Sequence, residues 1–188
     1  VAGDFDRDGL ADMAVWFDST SRGMNVLKNT GIGTFGHLDF VTTSTFYFGS
    51  AIQYMVTHDI DGDGYLDLFI PNSGGPYIHW NDGSGNFVDR TTVGNTVMWD
   101  KRSVAFDDFD QDGDTDLAIG GGSNGTHPLK MAFSWNNGDR GFNSELYWFG
   151  SQSEDGRMVP AAGDYNSDGI ADLLVICNAV SGITSLEM

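Results

Sequence analysis

The chain has 188 residues, 40% of them hydrophobic and 13% aromatic, with 26 Gly; this suits one domain, or part of one, with a real core and many tight turns. A formal net charge of −18, from 27 acidic against 9 basic residues, argues against a nucleic-acid partner, which needs clustered Lys and Arg. Aromatic and aliphatic residues run throughout, which excludes an acidic disordered tail, so the carboxylates of a folded chain call for a counter-charge.

No apolar stretch approaches the roughly 18 residues of a spanning helix, and membrane insertion is not expected. The single cysteine, Cys177, lies in the apolar run Leu173-Leu174-Val175-Ile176-Cys177 and reads as a small buried hydrophobe. The chain begins at Val1 rather than Met, and a processed chain or a fragment is expected.

In chain order, the first element is an acidic loop, Asp4-Phe5-Asp6-Arg7-Asp8-Gly9-Leu10-Ala11-Asp12. The apolar run Met13-Ala14-Val15-Trp16 follows it, then Met24-Asn25-Val26-Leu27, and then Asn29-Thr30-Gly31-Ile32-Gly33-Thr34-Phe35. Asn and Gly tolerate positive φ, so this last segment reads as a hairpin turn.

The order then repeats. A strand over Gln53-Tyr54-Met55-Val56-Thr57 enters the loop Asp59-Ile60-Asp61-Gly62-Asp63-Gly64-Tyr65-Leu66-Asp67, with Leu68-Phe69-Ile70 and the turn Asn81-Asp82-Gly83-Ser84-Gly85-Asn86-Phe87 beyond. The third loop is Asp108-Phe109-Asp110-Gln111-Asp112-Gly113-Asp114-Thr115-Asp116, followed by Leu117-Ala118-Ile119, the run Lys130–Trp135, and the turn Asn136-Asn137-Gly138-Asp139-Arg140-Gly141-Phe142 with one Gly displaced. The fourth is Asp164-Tyr165-Asn166-Ser167-Asp168-Gly169-Ile170-Ala171-Asp172, leading into Leu173–Ile176.

The loops start 55, 49 and 56 residues apart, with about four strands per unit and no helical period. The expected fold is all-β: β-propeller blades of four antiparallel strands, about 3.5–4 blades in this chain. The expected units are 1–50, 51–101, 102–155 and an incomplete 156–188, all in one propeller segment.

Asp at the first, third, fifth and ninth positions with Gly at the sixth converges oxygens on one point, because Gly permits the sharp bend. Hard carboxylate oxygens suit Ca²⁺, which takes about six to eight ligands. The candidate ligands are Asp4, Asp6, Asp8 and Asp12; Asp59, Asp61, Asp63 and Asp67; Asp108, Asp110, Asp112 and Asp116; and Asp164, Asn166, Asp168 and Asp172. Leu10, Tyr65, Asp114 and Ile170 would each add a backbone carbonyl from the seventh position. An EF-hand needs Glu at the twelfth position and flanking helices. Here that position holds Val15, Ile70, Ile119 and Val175, all inside strands.

Asp-Gly turns without metal are common in β proteins. Fifteen Asp and one Asn at sixteen ligand positions argue against that reading, since such carboxylates repel at short range. Up to four structural Ca²⁺ are expected, bringing the formal charge from −18 to −10. Asn166 leaves the fourth loop one charge short, and it is expected to bind most weakly.

Asp-x-Asp-x-Asp-Gly-x-x-Asp followed by aliphatics, with Asn-x-Gly-x-Gly-x-Phe between copies, resembles the FG-GAP/VCBS repeat. Phe48-Gly49 and Phe149-Gly150 lie upstream of acidic loops, as the family name suggests, while the third unit has Trp99-Asp100 there. Relatives include the integrin α-subunit head, fungal seven-bladed lectins and secreted bacterial polysaccharide-active proteins. The resemblance implies a secreted or cell-surface calcium-binding propeller. A closed four-bladed propeller is one reading; since relatives mostly have seven blades, the expected arrangement is that this chain forms about half of a larger, seven-bladed ring, with the remainder in a second chain or in a missing half.

Function is not chosen by the fold. The expected role is non-catalytic binding or adhesion toward a glycan or an extracellular protein. A polysaccharide lyase domain using Ca²⁺ on uronate is one alternative, and a structural repeat of a surface filament is another. No catalytic constellation is recognisable.

Gly31-Ile32-Gly33-Thr34-Phe35-Gly36 matches a dinucleotide fingerprint, and Gly121-Gly122-Ser123-Asn124-Gly125 a nucleophile elbow. Neither is followed by the helix its chemistry requires. The histidines His37, His58, His79 and His127 share no metal-ligand spacing; only His58, beside the second loop, stands where a base could act, and a solvated or hydrogen-bonded strand histidine is the expected use. Trp80 and Trp135 precede the Asn-Gly turns and could stack on a sugar ring, although packing within the blade is the expected use. Asn124-Gly125-Thr126 is a glycosylation sequon.

Overall fold

The computed structural model describes residues 1–17, 22–32, 38–47, 54–71, 75–93, 99–122, 129–149 and 156–178. Among them there are fourteen strands and no helix. The chain divides into two compact units, Val1–Thr92 and Val93–Met188.

The first unit holds two four-stranded antiparallel meanders. One comprises β1 (Ala2–Gly3), β2 (Asp12–Phe17), β3 (Gly23–Ile32) and β4 (Leu38–Tyr47) in that spatial order. The other comprises β5 (Val56–His58), β6 (Asp67–Ile70), β7 (Tyr77–Asn81) and β8 (Phe87–Thr92). The acidic loop joins the first two strands of each sheet. The Asn-x-Gly turn of the second sheet joins β7 to β8, and β3 with β4 flanks its counterpart. The run after each acidic loop is β2 or β6, as the apolar pattern predicts, and β4 lies where the dinucleotide reading would need a helix.

Alternation decides what is buried. Ala14, Met24 and Val26 of the first sheet meet Met55, Leu68, Ile70 and Phe87 of the second in one core, with Phe5 from the first acidic loop. Phe5 meets Phe87 edge-to-face at 5.4 Å, the arrangement that ring quadrupoles favour.

The second unit holds β9 (Trp99–Asp107), β10 (Asp116–Gly122), β11 (Leu129–Asn136) and β12 (Phe142–Phe149), paired in sequence order. The hairpin of β13 (Arg157–Gly163) and β14 (Asp172–Asn178) joins the far end of β10 through Gly122 and Arg157. Gly120 makes this approach possible: a Cβ there would lie 2.2 Å from the Met158 carbonyl oxygen. Ser103 donates its hydroxyl to the same carbonyl at 2.6 Å. Cys177 is buried with Met131, Phe133, Met158 and Val175, so it packs as a hydrophobe. The unit edge expected at 101/102 falls inside β9, whose pairing already begins at Trp99. The edges at 50/51 and 155/156, the Phe48-Gly49 pair and Gly150 fall wholly or partly outside the described residues.

Candidate metal centre

Four acidic loops follow one plan. The backbone turns left-handed twice in each: at the fourth position in Arg7, Gly62, Gln111 and Ser167 (φ 59–70°), and at the sixth in Gly9, Gly64, Gly113 and Gly169 (φ 85–99°). The first of these was not visible in the sequence, because three different side chains occupy it. Non-glycine residues pay for that conformation, so something in the loop must hold them there.

Hydrogen bonds do so. The fifth-position carboxylate accepts the seventh-position amide in every loop: Leu10 to Asp8 at 2.9 Å, Tyr65 to Asp63 at 2.8 Å, Asp114 to Asp112 at 2.9 Å and Ile170 to Asp168 at 2.9 Å. The ninth-position carboxylate accepts the second-position amide: Phe5 to Asp12 at 3.0 Å, Ile60 to Asp67 at 3.1 Å, Phe109 to Asp116 at 3.1 Å and Tyr165 to Asp172 at 3.0 Å. Its other oxygen accepts the amide of Asn29, Asn81 or Asn136, each at 2.8 Å. The ninth-position Asp therefore ties the acidic loop to the Asn-x-Gly turn of its own blade, a role beyond the ligand role read from spacing.

The turns fit this arrangement. The side-chain oxygen of Asn29, Asn81 and Asn136 accepts the amide of Gly31, Gly83 and Gly138 at 2.9, 3.0 and 3.2 Å. These glycines have φ of 80–99°, as Asn-x-Gly chemistry predicts. Arg140 takes the left-handed position of the displaced glycine at φ 57°. The seventh-position side chain lies over the turn glycine: Tyr65 ring atoms sit 3.2–3.5 Å from where a Gly83 Cβ would be, and Asp114 Oδ2 sits 3.1 Å from that of Gly138.

Three loops bring acidic oxygens together within 4.8 Å: Asp4, Asp6 and Asp8; Asp59, Asp61 and Asp67; and Asp108, Asp110 and Asp116. The fourth loop, with Asn166 at its third position, forms no such acidic trio among the described residues. Its Asn166 Nδ2 donates to Asp168 Oδ2 at 3.0 Å.

The loops differ in how far they satisfy themselves. Asp4 accepts the Asp8 and Gly9 amides at 3.0 and 2.9 Å, Asp108 those of Asp112 and Gly113 at 3.1 and 3.0 Å, and Asp164 those of Asp168 and Gly169 at 3.0 and 2.9 Å. Asp59 stands apart: its Oδ1 is buried and no hydrogen-bond donor among the described residues reaches it. An orphaned carboxylate oxygen next to two further acids is what a hard cation would complete.

Burial raises Asp67 to a pKa of about 7, and Asp61 and Asp63 add to the rise while the Asn81 and Ile60 amides oppose it. Asp116 is raised to about 6, again first by burial, with Asp110 and Asp112 adding. The first loop differs. Lys28 donates its ammonium to Asp6 and lies 3.5 Å from Asp8. The hydrogen bond to Asp6 is the main cause of a raised Lys28 pKa.

Trp80 packs within its blade, the expected use, and not against a sugar ring. Trp80 is 2% exposed and its indole N–H donates to Thr91 Oγ1 at 2.9 Å, so no ring face is left for a ligand. Trp135 is partly buried and stacks on Phe133 at 5.3 Å, as blade packing predicts. His58 pairs across the sheet with Asp67. Asn124, His37, His127 and residues 123–125 of the elbow motif lie outside the described residues.

Meanders of four antiparallel strands whose first hairpin carries an acidic loop define a repeat protein of β-propeller blades. The chain matches the FG-GAP-like repeat over residues 4–70, 59–119 and 108–175, and it belongs to that family. Each match begins at the first Asp of one acidic loop and ends in the strand after the next. No curated protein sequence matches the chain.

Proposed function

We propose that the chain is an extracellular calcium-binding β-propeller segment with a non-catalytic role in recognising a glycan or an extracellular protein. The observation that carries the metal part is the second loop. Asp59, Asp61 and Asp67 bring oxygens within 4.8 Å, and the buried Asp59 Oδ1 has no donor among the described residues. Asp67 is fully buried, so its charge is costly without a cation beside it. The third loop offers a similar trio in Asp108, Asp110 and Asp116. Bound Ca²⁺ would neutralise these carboxylates and hold the left-handed turns, a structural use of the metal.

The extracellular part rests on family membership, since FG-GAP-like repeats occur in secreted and surface proteins. Among the described residues no helix is long and apolar enough to cross a membrane. With Trp80 buried, a glycan reading has Trp135 as its remaining aromatic candidate from the repeat, and a protein partner stands beside it as an equal reading.

The test is a calcium titration by calorimetry, paired with thermal melts in calcium and in excess chelator. Saturable binding with a calcium-dependent rise in melting temperature is expected. Absence of both would reduce the loops to turns. A glycan array and a pull-down from extracellular fluid, both in calcium, then separate the two kinds of partner.

A further inference from the structure

The blades are not equivalent at the position before the Asn-x-Gly turn. Trp80 stands there before Asn81, and Trp135 before Asn136. Before Asn29 the residue is Lys28. The two tryptophans turn into their own blades, one onto Thr91 and the other onto Phe133. Lys28 instead reaches across 22 residues of sequence to the acidic loop and donates to Asp6 Oδ2, with Asp8 Oδ2 at 3.5 Å. The Asp6 side chain is 8% exposed, so the ion pair is partly shielded from water at its acidic end.

The other acids of this loop are also provided for. Asp4 accepts the amides of Asp8 and Gly9, and Asp12 accepts those of Phe5 and Asn29. Asp6 Oδ1 accepts the Asp8 amide at 3.3 Å, and Asp8 Oδ1 accepts the Leu10 amide at 2.9 Å. Every acid of the first loop thus has a donor from within the chain, whereas among the described residues Asp59 Oδ1 of the second loop has none.

We infer that Lys28 is a built-in cation for the first acidic loop, offsetting one of its four carboxylate charges and leaving the second loop to take calcium first. The inference rests on the calcium reading above. A Ca²⁺ entering the first loop must either displace the ammonium from Asp6 and Asp8 or sit beside it, and two cations a few ångströms apart repel strongly. The first loop therefore fills after the second.

The test uses the whole chain and calcium itself. In wild-type protein, an amide-resolved NMR titration is expected to shift Gly64 and Tyr65 at lower calcium than Gly9 and Leu10. Gly9 moving with or before Gly64 would overturn the inference. Lys28→Met keeps the aliphatic stem and removes the charge. Calorimetry should then show one additional calcium equivalent, or roughly tenfold tighter binding at one site. The variant should melt below wild type in chelator, and the gap should narrow in saturating calcium.

An unchanged isotherm with an equal melting loss in both conditions would overturn the inference while leaving the calcium reading intact. Absence of calcium binding in wild type and variant alike would remove the calcium reading, and the inference with it. The wild-type filling order is independent of whether Lys28→Met folds.

Discussion

The Asn81 side chain donates to the Phe5 carbonyl at 2.8 Å, joining the second hairpin turn to the first acidic loop across 76 residues of sequence. The same amide group donates to Leu66 O at 3.1 Å, and the side-chain oxygen accepts the Gly83 and Gly85 amides at 3.0 and 3.2 Å. One buried side chain thus satisfies four backbone groups and holds two sheets of the first unit in register. Arg7 adds a second tie, donating to the Gly64 carbonyl with its guanidinium 4.6 Å from the Tyr65 ring centre.

Replacing Asn81 by Ala would leave these backbone groups without partners in a buried site. The expected loss is about 2–4 kcal/mol of unfolding free energy. Chemical denaturation of Asn81→Ala in saturating calcium checks it, and a loss below about 0.5 kcal/mol would show the contacts to be incidental.

Asp59→Asn removes the charge of the orphaned oxygen while keeping the shape. In chelator the variant is expected to be as stable as wild type or more so, because repulsion with its acidic neighbours is relieved. In calcium it should lose the binding equivalent with the highest affinity. A wild-type isotherm, read by calorimetry, would remove Asp59 from the metal centre.

Without metal, stability should depend on pH through Asp67 and Asp116. Their folded-state pKa values of about 7 and about 6 lie above the ordinary 3.8, so the folded state holds protons that the unfolded state has released. Stability is therefore gained as pH falls and lost as pH rises toward 7. Burial lowers His79 to about 4, which acts oppositely once pH falls below its ordinary 6.5. Melts in chelator should rise from pH 8 to pH 6 and go on rising toward pH 4, with His79 offsetting one of the two carboxylates. The difference between calcium and chelator should widen from pH 6 to pH 8, since metal needs ionised carboxylates. A chelated melting temperature that falls between pH 8 and pH 6 would contradict both assignments.

Two glycines of the second blade should respond differently to substitution. Gly83 has φ +80° and Tyr65 ring atoms at 3.2–3.5 Å from its missing Cβ, so Gly83→Ala should cost about 1–3 kcal/mol. Gly62 has φ +70° with open space around it, and its counterparts are Arg7, Gln111 and Ser167. Gly62→Asn should stay within about 0.5 kcal/mol of wild type, because Asn tolerates the left-handed region. Paired denaturation curves decide whether contact or loop register governs these positions.

The repeat, the strand order and the acidic loops were legible in the sequence because each is a local signal: apolar alternation, a run of Asp with one Gly, and Asn-x-Gly turns. The loops stayed legible even with Asn166 replacing Asp, since the backbone plan needs an oxygen there and not a charge. That Trp80 packs within its blade was expected from its repeat position, but its partner was not legible, because only strand pairing brings Thr91 of β8 near it. The second duty of Asp12, Asp67 and Asp116 was hidden too: spacing shows where a carboxylate falls, while its acceptance of a turn amide is set by sheet register.

By itself, then, the sequence determined the number of acidic loops and the antiparallel blades between them, since residues close in the chain specify both. Only the tertiary structure decided which loop carries its own cation and which leaves an acid unanswered. Lys28 meets Asp6, and Asn81 meets Phe5, only once strands far apart in sequence have been laid side by side.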